Sequence, residues 1–124
     1  MSAGVQQRVR VKICGVTNRE DAELAIACGA DALGFNLWPG SKRCIALDEH
    51  APWMRALPPM VTRVAVLVNA TLEEARVVAA HAAIEMVQFH GDESAEYCAE
   101  FARLGVPFIK AIRLGEQRAV ELAE

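Results

Sequence analysis

No run of lysine or arginine occurs anywhere in the chain, and its net charge is only −3, with acids and bases interspersed. Such a surface does not complement a phosphate backbone or an anionic bilayer, so neither nucleic acid nor membrane is expected as a partner. The start, Met1 to Gln7, is polar, and no apolar stretch follows it behind a basic segment. Neither a signal peptide nor a transmembrane span is expected, which points to the cytoplasm. The cysteines Cys14, Cys28, Cys44 and Cys98 form no C-x-x-C pair and lie too far apart for a zinc site. In a cytosolic chain they are read as reduced thiols, each packing by default as a small apolar side chain. Glycine-rich phosphate loops are missing too, because Gly15 and Gly91 stand alone. No metal and no cofactor is expected. What is present is an ordinary globular composition, 53% hydrophobic and 23% charged over 124 residues. That length supports one domain with its own core, so 1–124 is read as a single domain.

The apolar pattern switches repeatedly between short β-branched runs and helical spacing. Val9 to Cys14 alternates with period two until Gly15 breaks it. Asn18 is placed to cap a helix from Arg19 to Cys28, whose first turn holds Glu20 and Asp21 where the helix dipole favours acids, and Gly29 ends it. A strand over Ala32 to Leu37, a loop around Pro39-Gly40-Ser41 and a helix over about 48–57, stopped by Pro58-Pro59, come next. Arg63 to Val68 is the clearest strand, with Val64, Val66 and Val68 on one face. Thr71 and Glu74 have capping-box spacing for the following helix. Ile84–His90, Ser94–Leu104 and Phe108–Arg113 read as strand, helix and strand, and a last helix is expected from about Glu116.

Each strand-plus-helix unit takes about 22 to 31 residues, the size of a βα repeat. The expected class is therefore α/β with a parallel sheet. Two architectures use that pattern. A doubly wound open sheet is complete at five strands, whereas a (βα)8 barrel needs eight and about 250 residues. Counting favours the open sheet. However, the chain stops at Glu124 inside a helical pattern without glycine or proline, which suggests truncation. In either case function is expected at the carboxyl ends of the strands, which selects Cys14, the loop after Leu37, Asn69, His90 and Arg113.

The segments Lys12-Ile13-Cys14-Gly15-Val16-Thr17, Gly29 to Phe35 and Ser41-Lys42-Arg43 occur in one order with Leu57-Pro58-Pro59 and Val66-Leu67-Val68-Asn69. Val87 to Ser94 and Ile109-Lys110-Ala111 complete the series. Taken in register, this set resembles the phosphoribosylanthranilate isomerases of tryptophan biosynthesis. The resemblance covers nearly the whole chain and implies a TIM (βα)8 barrel, of which these would be strands 1–5, an incomplete barrel. The activity it implies is an Amadori rearrangement by an isomerase of the aldose–ketose type. A ring-opened aminoaldose phosphate loses its C2 proton to a base, and the resulting enolamine becomes an aminoketose. Family members use a cysteine as base at the position matching Cys14, and an aspartate on the sixth strand as acid.

The residues themselves fit these roles. With period two, Lys12 and Cys14 share one strand face, while Val11 and Ile13 share the other and are expected to pack under helices. A cationic Lys12 one pleat away, about 6–7 Å, would favour thiolate over thiol. A thiol ordinarily titrates only about 1.5 pH units above neutrality, which suits a general base. The Arg43 guanidinium fork suits a planar carboxylate, and the resemblance implies that of anthranilate. Gln88 and His90 share a face at the mouth of the fourth strand, where they would contact the ring or the open sugar; a structural hydrogen bond is the competing reading of His90. Asp92 is read as a helix N-cap or first-turn acid. Cys28, Cys44 and Cys98 are read as structural, with Cys44 and Asn36 departing from the family pattern.

The acid of the sixth strand and the phosphate-binding loops after strands seven and eight are absent from the sequence, so the chain alone is expected to be inactive and to expose two strand edges. The expected partner is a small phosphorylated substrate, and a homodimer is the one protein assembly left open. Competing readings are a non-catalytic half-barrel scaffold, an open five-stranded binding domain, and another ribulose-phosphate barrel such as an epimerase. The Lys-Ile-Cys-Gly start speaks against the last.

Overall fold

Strands of three to six residues alternate with helices of eight or nine in the computed structural model, which describes residues 7–114. In chain order they are β1 Lys12–Cys14, α1 Arg19–Ala27, β2 Ala32–Asn36, α2 Leu47–Arg55, β3 Thr62–Leu67, α3 Leu72–Ala79, β4 Met86–Phe89, α4 Ala95–Ala102 and β5 Phe108–Lys110. The helix expected from Glu116 lies outside the described residues. All neighbouring strands pair in parallel in the order β1-β2-β3-β4-β5. A doubly wound sheet would have put β1 between two other strands, so that architecture is ruled out. Among the described residues the sheet is not closed, and β1 and β5 are its two edges.

Local chemistry sets the helix starts. Asn18 accepts from the Asp21 N–H at 2.8 Å, and Thr71 and Glu74 form the reciprocal capping box. Ser94 caps α4 by accepting from the Tyr97 N–H. Asp92 is therefore not the cap. Its own N–H instead donates to Asn69 Oδ1 at 2.7 Å, and the helix begins only after Ser94.

Period two then sorts the strand side chains. Leu33, Phe35, Ala65, Leu67, Val87 and Phe89 are buried in one cluster with Ala22 of α1, Met54 of α2, Ala75 of α3 and Phe101 of α4. The helices thus cover a single face of the sheet. Phe89 is its densest point, meeting Tyr97, Phe101 and Phe108 with ring centroids 4.9–5.6 Å apart. Val64 and Val66 alternate with this set and fall on the opposite, inner face.

Two expectations about β1 need correction. The strand begins at Lys12 rather than Val9, because Lys12 pairs with Ala32, the first residue of β2, and earlier residues have no strand to pair with. Asp31 takes up the Val11 N–H instead, at 2.8 Å. Val11 and Ile13 do not pack under helices and are 45% and 42% exposed. A crossover helix leans toward the next strand, so among the described residues α1 covers the β2 side of β1 and leaves a groove beside Val11, Ile13, Leu24 and Cys28.

Candidate active site

Strand register builds the site on the inner face. Cys14 pairs with Gly34, Gly34 with Val64 and Val64 with Met86. One pleat nearer the carboxyl ends, Asn36, Val66, Gln88 and Ile109 form the next row. Gly34 carries no side chain, and two polar groups occupy the space. A Cβ there would lie 2.9 Å from Cys14 Sγ and 3.1 Å from Lys12 Nζ. Sulfur and ammonium therefore converge over Gly34 on the inner side, with Cys14 exposed.

After Cys14 the chain turns through Gly15 at φ +83°, a left-handed conformation that favours glycine. The missing side chain is needed a second time: Arg43 is laid across Gly15, its Cδ 2.7 Å from where a Cβ would stand. The loop that delivers Arg43 is folded back by Asn36, whose carbonyl accepts from the Ile45 N–H at 2.9 Å and whose Oδ1 accepts from the Trp38 N–H at 2.8 Å. Asn36 thus shapes the mouth through its own loop. Ser41 Oγ accepts from the Arg43 N–H at 3.1 Å. Cys14 and Lys12 are consequently a pair on the inner side of β1, with Arg43 of the loop after β2 lying over the adjoining Gly15.

Gln88 and His90 form a second group on β4. Gln88 is 9% exposed, and its Oε1 is buried with no hydrogen-bond partner among the described residues. His90 continues the strand line by donating its N–H to the Leu67 carbonyl at 2.8 Å, while the residue itself is exposed. Of the other thiols, Cys28 is the exposed C-cap of α1 rather than a packed residue, whereas burial pushes the Cys98 thiol up. Among the described residues no group of three or more His, Cys, Asp or Glu gathers to hold a metal ion.

Sequence reasoning missed Glu93. Its side chain is 1% exposed and receives Lys110 Nζ at 2.8 Å, the Asn69 N–H at 2.9 Å and the Gly91 N–H at 2.9 Å. Burial works to raise its carboxyl, but these hydrogen bonds and the lysine charge outweigh it and hold the group below its ordinary range. Lys110 also donates to the Gly91 carbonyl at 2.6 Å. The signal available was a Glu just before a helix cap and a Lys on the next strand, too common a pair to single out.

Chain-ordered parallel strands, helices on one face and polar strand ends define the amino-terminal part of a (βα)8 barrel carrying a thiol, an ammonium and a guanidinium at its mouth. Known proteins agree. The family described as N-(5'phosphoribosyl)anthranilate (PRA) isomerase matches residues 11–124. The N-(5'-phosphoribosyl)anthranilate isomerase of Nitrosomonas eutropha is 47% identical over 107 residues, covering 86% of this chain and 50% of that protein. That of Chromohalobacter salexigens is 49% identical over 108 residues, covering 87% and 49%. The phosphoribosyl anthranilate isomerase structure from Thermotoga maritima superposes with a TM-score of 0.87 at 42% identity, over 94% of this chain and 56% of that one. A further structure of such an isomerase, in complex with reduced 1-(o-carboxyphenylamino)-1-deoxyribulose 5-phosphate, also gives 0.87 and 42%, over 94% and 59%. The chain belongs to the N-(5'-phosphoribosyl)anthranilate isomerase family. It spans about half the length of the relatives it matches.

Proposed function

We propose that this chain supplies the proton-abstracting side of an N-(5'-phosphoribosyl)anthranilate isomerase of tryptophan biosynthesis, acting when the rest of the family barrel is present. The carrying observation is the convergence of Cys14 Sγ and Lys12 Nζ over Gly34, with Arg43 held beside them across Gly15. In this reading the Arg43 fork grips the anthranilate carboxylate and orients the open-chain substrate. The Cys14 sulfur removes the C2 proton while an acid on the sixth strand, beyond these five, protonates the imine nitrogen. The C1–C2 double bond of the enolamine forms. Proton return at C1 and loss of the hydroxyl proton at C2 then leave the ketone, 1-(2-carboxyphenylamino)-1-deoxyribulose 5-phosphate. Atoms and electrons are conserved within the substrate, so no cofactor takes part in the reading.

Gln88 and His90 contact the substrate farther round the mouth. β4 lies three strand spacings from β1, about 14 Å along the sheet. A substrate carrying an aryl ring at one end and an open sugar phosphate at the other suits such a span. The phosphate is held by loops after later strands, so the chain alone turns over no substrate. A crystal of one relative held the reduced product analogue, which supports this substrate class. The test is to follow loss of phosphoribosylanthranilate with the completed barrel and with its Cys14→Ser variant. Turnover that survives in the variant undiminished would overturn the base assignment. No turnover by the completed wild type would overturn the activity.

A further inference from the structure

The peptide groups on both sides of His90 are pinned. Its own N–H is fixed to the Leu67 carbonyl at 2.8 Å. The next N–H, of Gly91, is fixed to the Glu93 carboxylate, and the Gly91 carbonyl is held by Lys110 Nζ at 2.6 Å. The same carboxylate takes the Asn69 N–H, and Asn69 Oδ1 takes the Asp92 N–H. These contacts join the ends of β3, β4 and β5 into one knot immediately beside His90. They also leave no slack: a Cβ on Gly91 would fall 2.4 Å from Asn69 Oδ1.

We propose that Glu93, with Lys110 and Asn69, is a positioning clamp that sets the direction of the His90 ring at the mouth. The inference rests on the reading in which His90 meets the substrate. Glu93 does not touch the substrate. Its carboxylate acts through the His90–Gly91 peptide, so loosening it lets the ring swing. An ordinary buried ion pair would only add stability. A clamp makes its effect on turnover depend on His90 being present.

Two measurements test it. In this chain, the ring signals of His90, identified among the three histidines by their loss in His90→Asn, are compared by NMR in wild type and Glu93→Gln. In the completed barrel, Glu93→Gln is expected to lower kcat about tenfold with KM nearly unchanged, as a misplaced group costs turnover more than binding. Added to His90→Asn, the same substitution should cost nothing further. Unmoved His90 signals, or kcat losses that multiply, would overturn the clamp. Moved signals in this chain, beside a completed wild-type barrel that never turns over, would leave the clamp standing and overturn the isomerase reading. Should Glu93→Gln not fold, Asn69→Gly replaces it in both measurements. Glycine keeps the left-handed backbone, φ 51° in Asn69, and releases only the Asp92 N–H. A kcat loss of about threefold, absorbed by His90→Asn, supports the clamp; full kcat with unmoved signals overturns it.

Discussion

Cys14 is placed by what its neighbours omit. The sulfur reaches the inner face beside Lys12 because Gly34 has no side chain, and Arg43 lies over the next residue because Gly15 has none. On the proposed function, two outcomes follow for the completed barrel. Cys14→Ser should lower kcat by about a hundredfold or more with KM little changed, since a hydroxyl is a weaker base in the same place. Arg43→Ala should chiefly raise KM, since a carboxylate contact persists from bound substrate to transition state. Equal, modest changes in both parameters for Cys14→Ser would refute the assignment. Gly34→Ala tests the packing claim: its methyl would stand 2.9 Å from Sγ and 3.2 Å from Cys14 Cα, a backbone atom that moves only with the strand. Turnover should fall about tenfold, and steady-state kinetics beside a thermal melt would separate a displaced sulfur from a lost fold.

At the scale of the elements, caps and core contribute in the usual proportions. Removing the Thr71 capping box by Thr71→Ala should cost about 1 kcal/mol, and Phe89→Ala, at the centre of the aromatic cluster, about 3–5 kcal/mol in urea unfolding. The Glu93 carboxyl adds a pH dependence whose sign is set by its lowered folded-state titration. Its contribution is complete above the ordinary glutamate range, about pH 4.3, and is lost as pH falls through the lower folded value. Urea midpoints taken from neutral pH down to about pH 3 should therefore drop less steeply for Glu93→Gln than for wild type. Parallel curves would mean the carboxylate does not carry that linkage. The repeat of strands and helices was legible because buried parallel strands must be apolar and caps need particular side chains. Strand ends were not, because β1 begins only where β2 begins, at the Lys12–Ala32 pair, and β5 ends where β4 ends, at Lys110–Phe89.

At the scale of the whole sheet, the five parallel strands leave both edges unpaired among the described residues and Val11 and Ile13 half exposed. Edges and apolar flanks of that kind associate in solution. Sedimentation of this chain alone should show self-association that rises with concentration, and Ile13→Lys should weaken it. A monomer at every concentration would contradict that account. No helix among the described residues is long and apolar enough to cross a membrane.

The pattern of residues determined by itself that strands and helices alternate, that Asn18 and Thr71 stand at helix starts, and that Lys12 and Cys14 share a face. These are local matters of period and capping, and each is written within a few residues. Counting strands left two sheet topologies open, since both are built from the same repeat; the family resemblance implied the barrel's chain order, and the hydrogen-bonded order β1-β2-β3-β4-β5 bears it out. Tertiary structure also decided that Asp92 is no cap and that Glu93 is the buried carboxylate instead. Its partners Asn69 and Lys110 lie 24 and 17 residues away. No short-range rule joins such positions; parallel strand pairing brings them together only when the sheet forms.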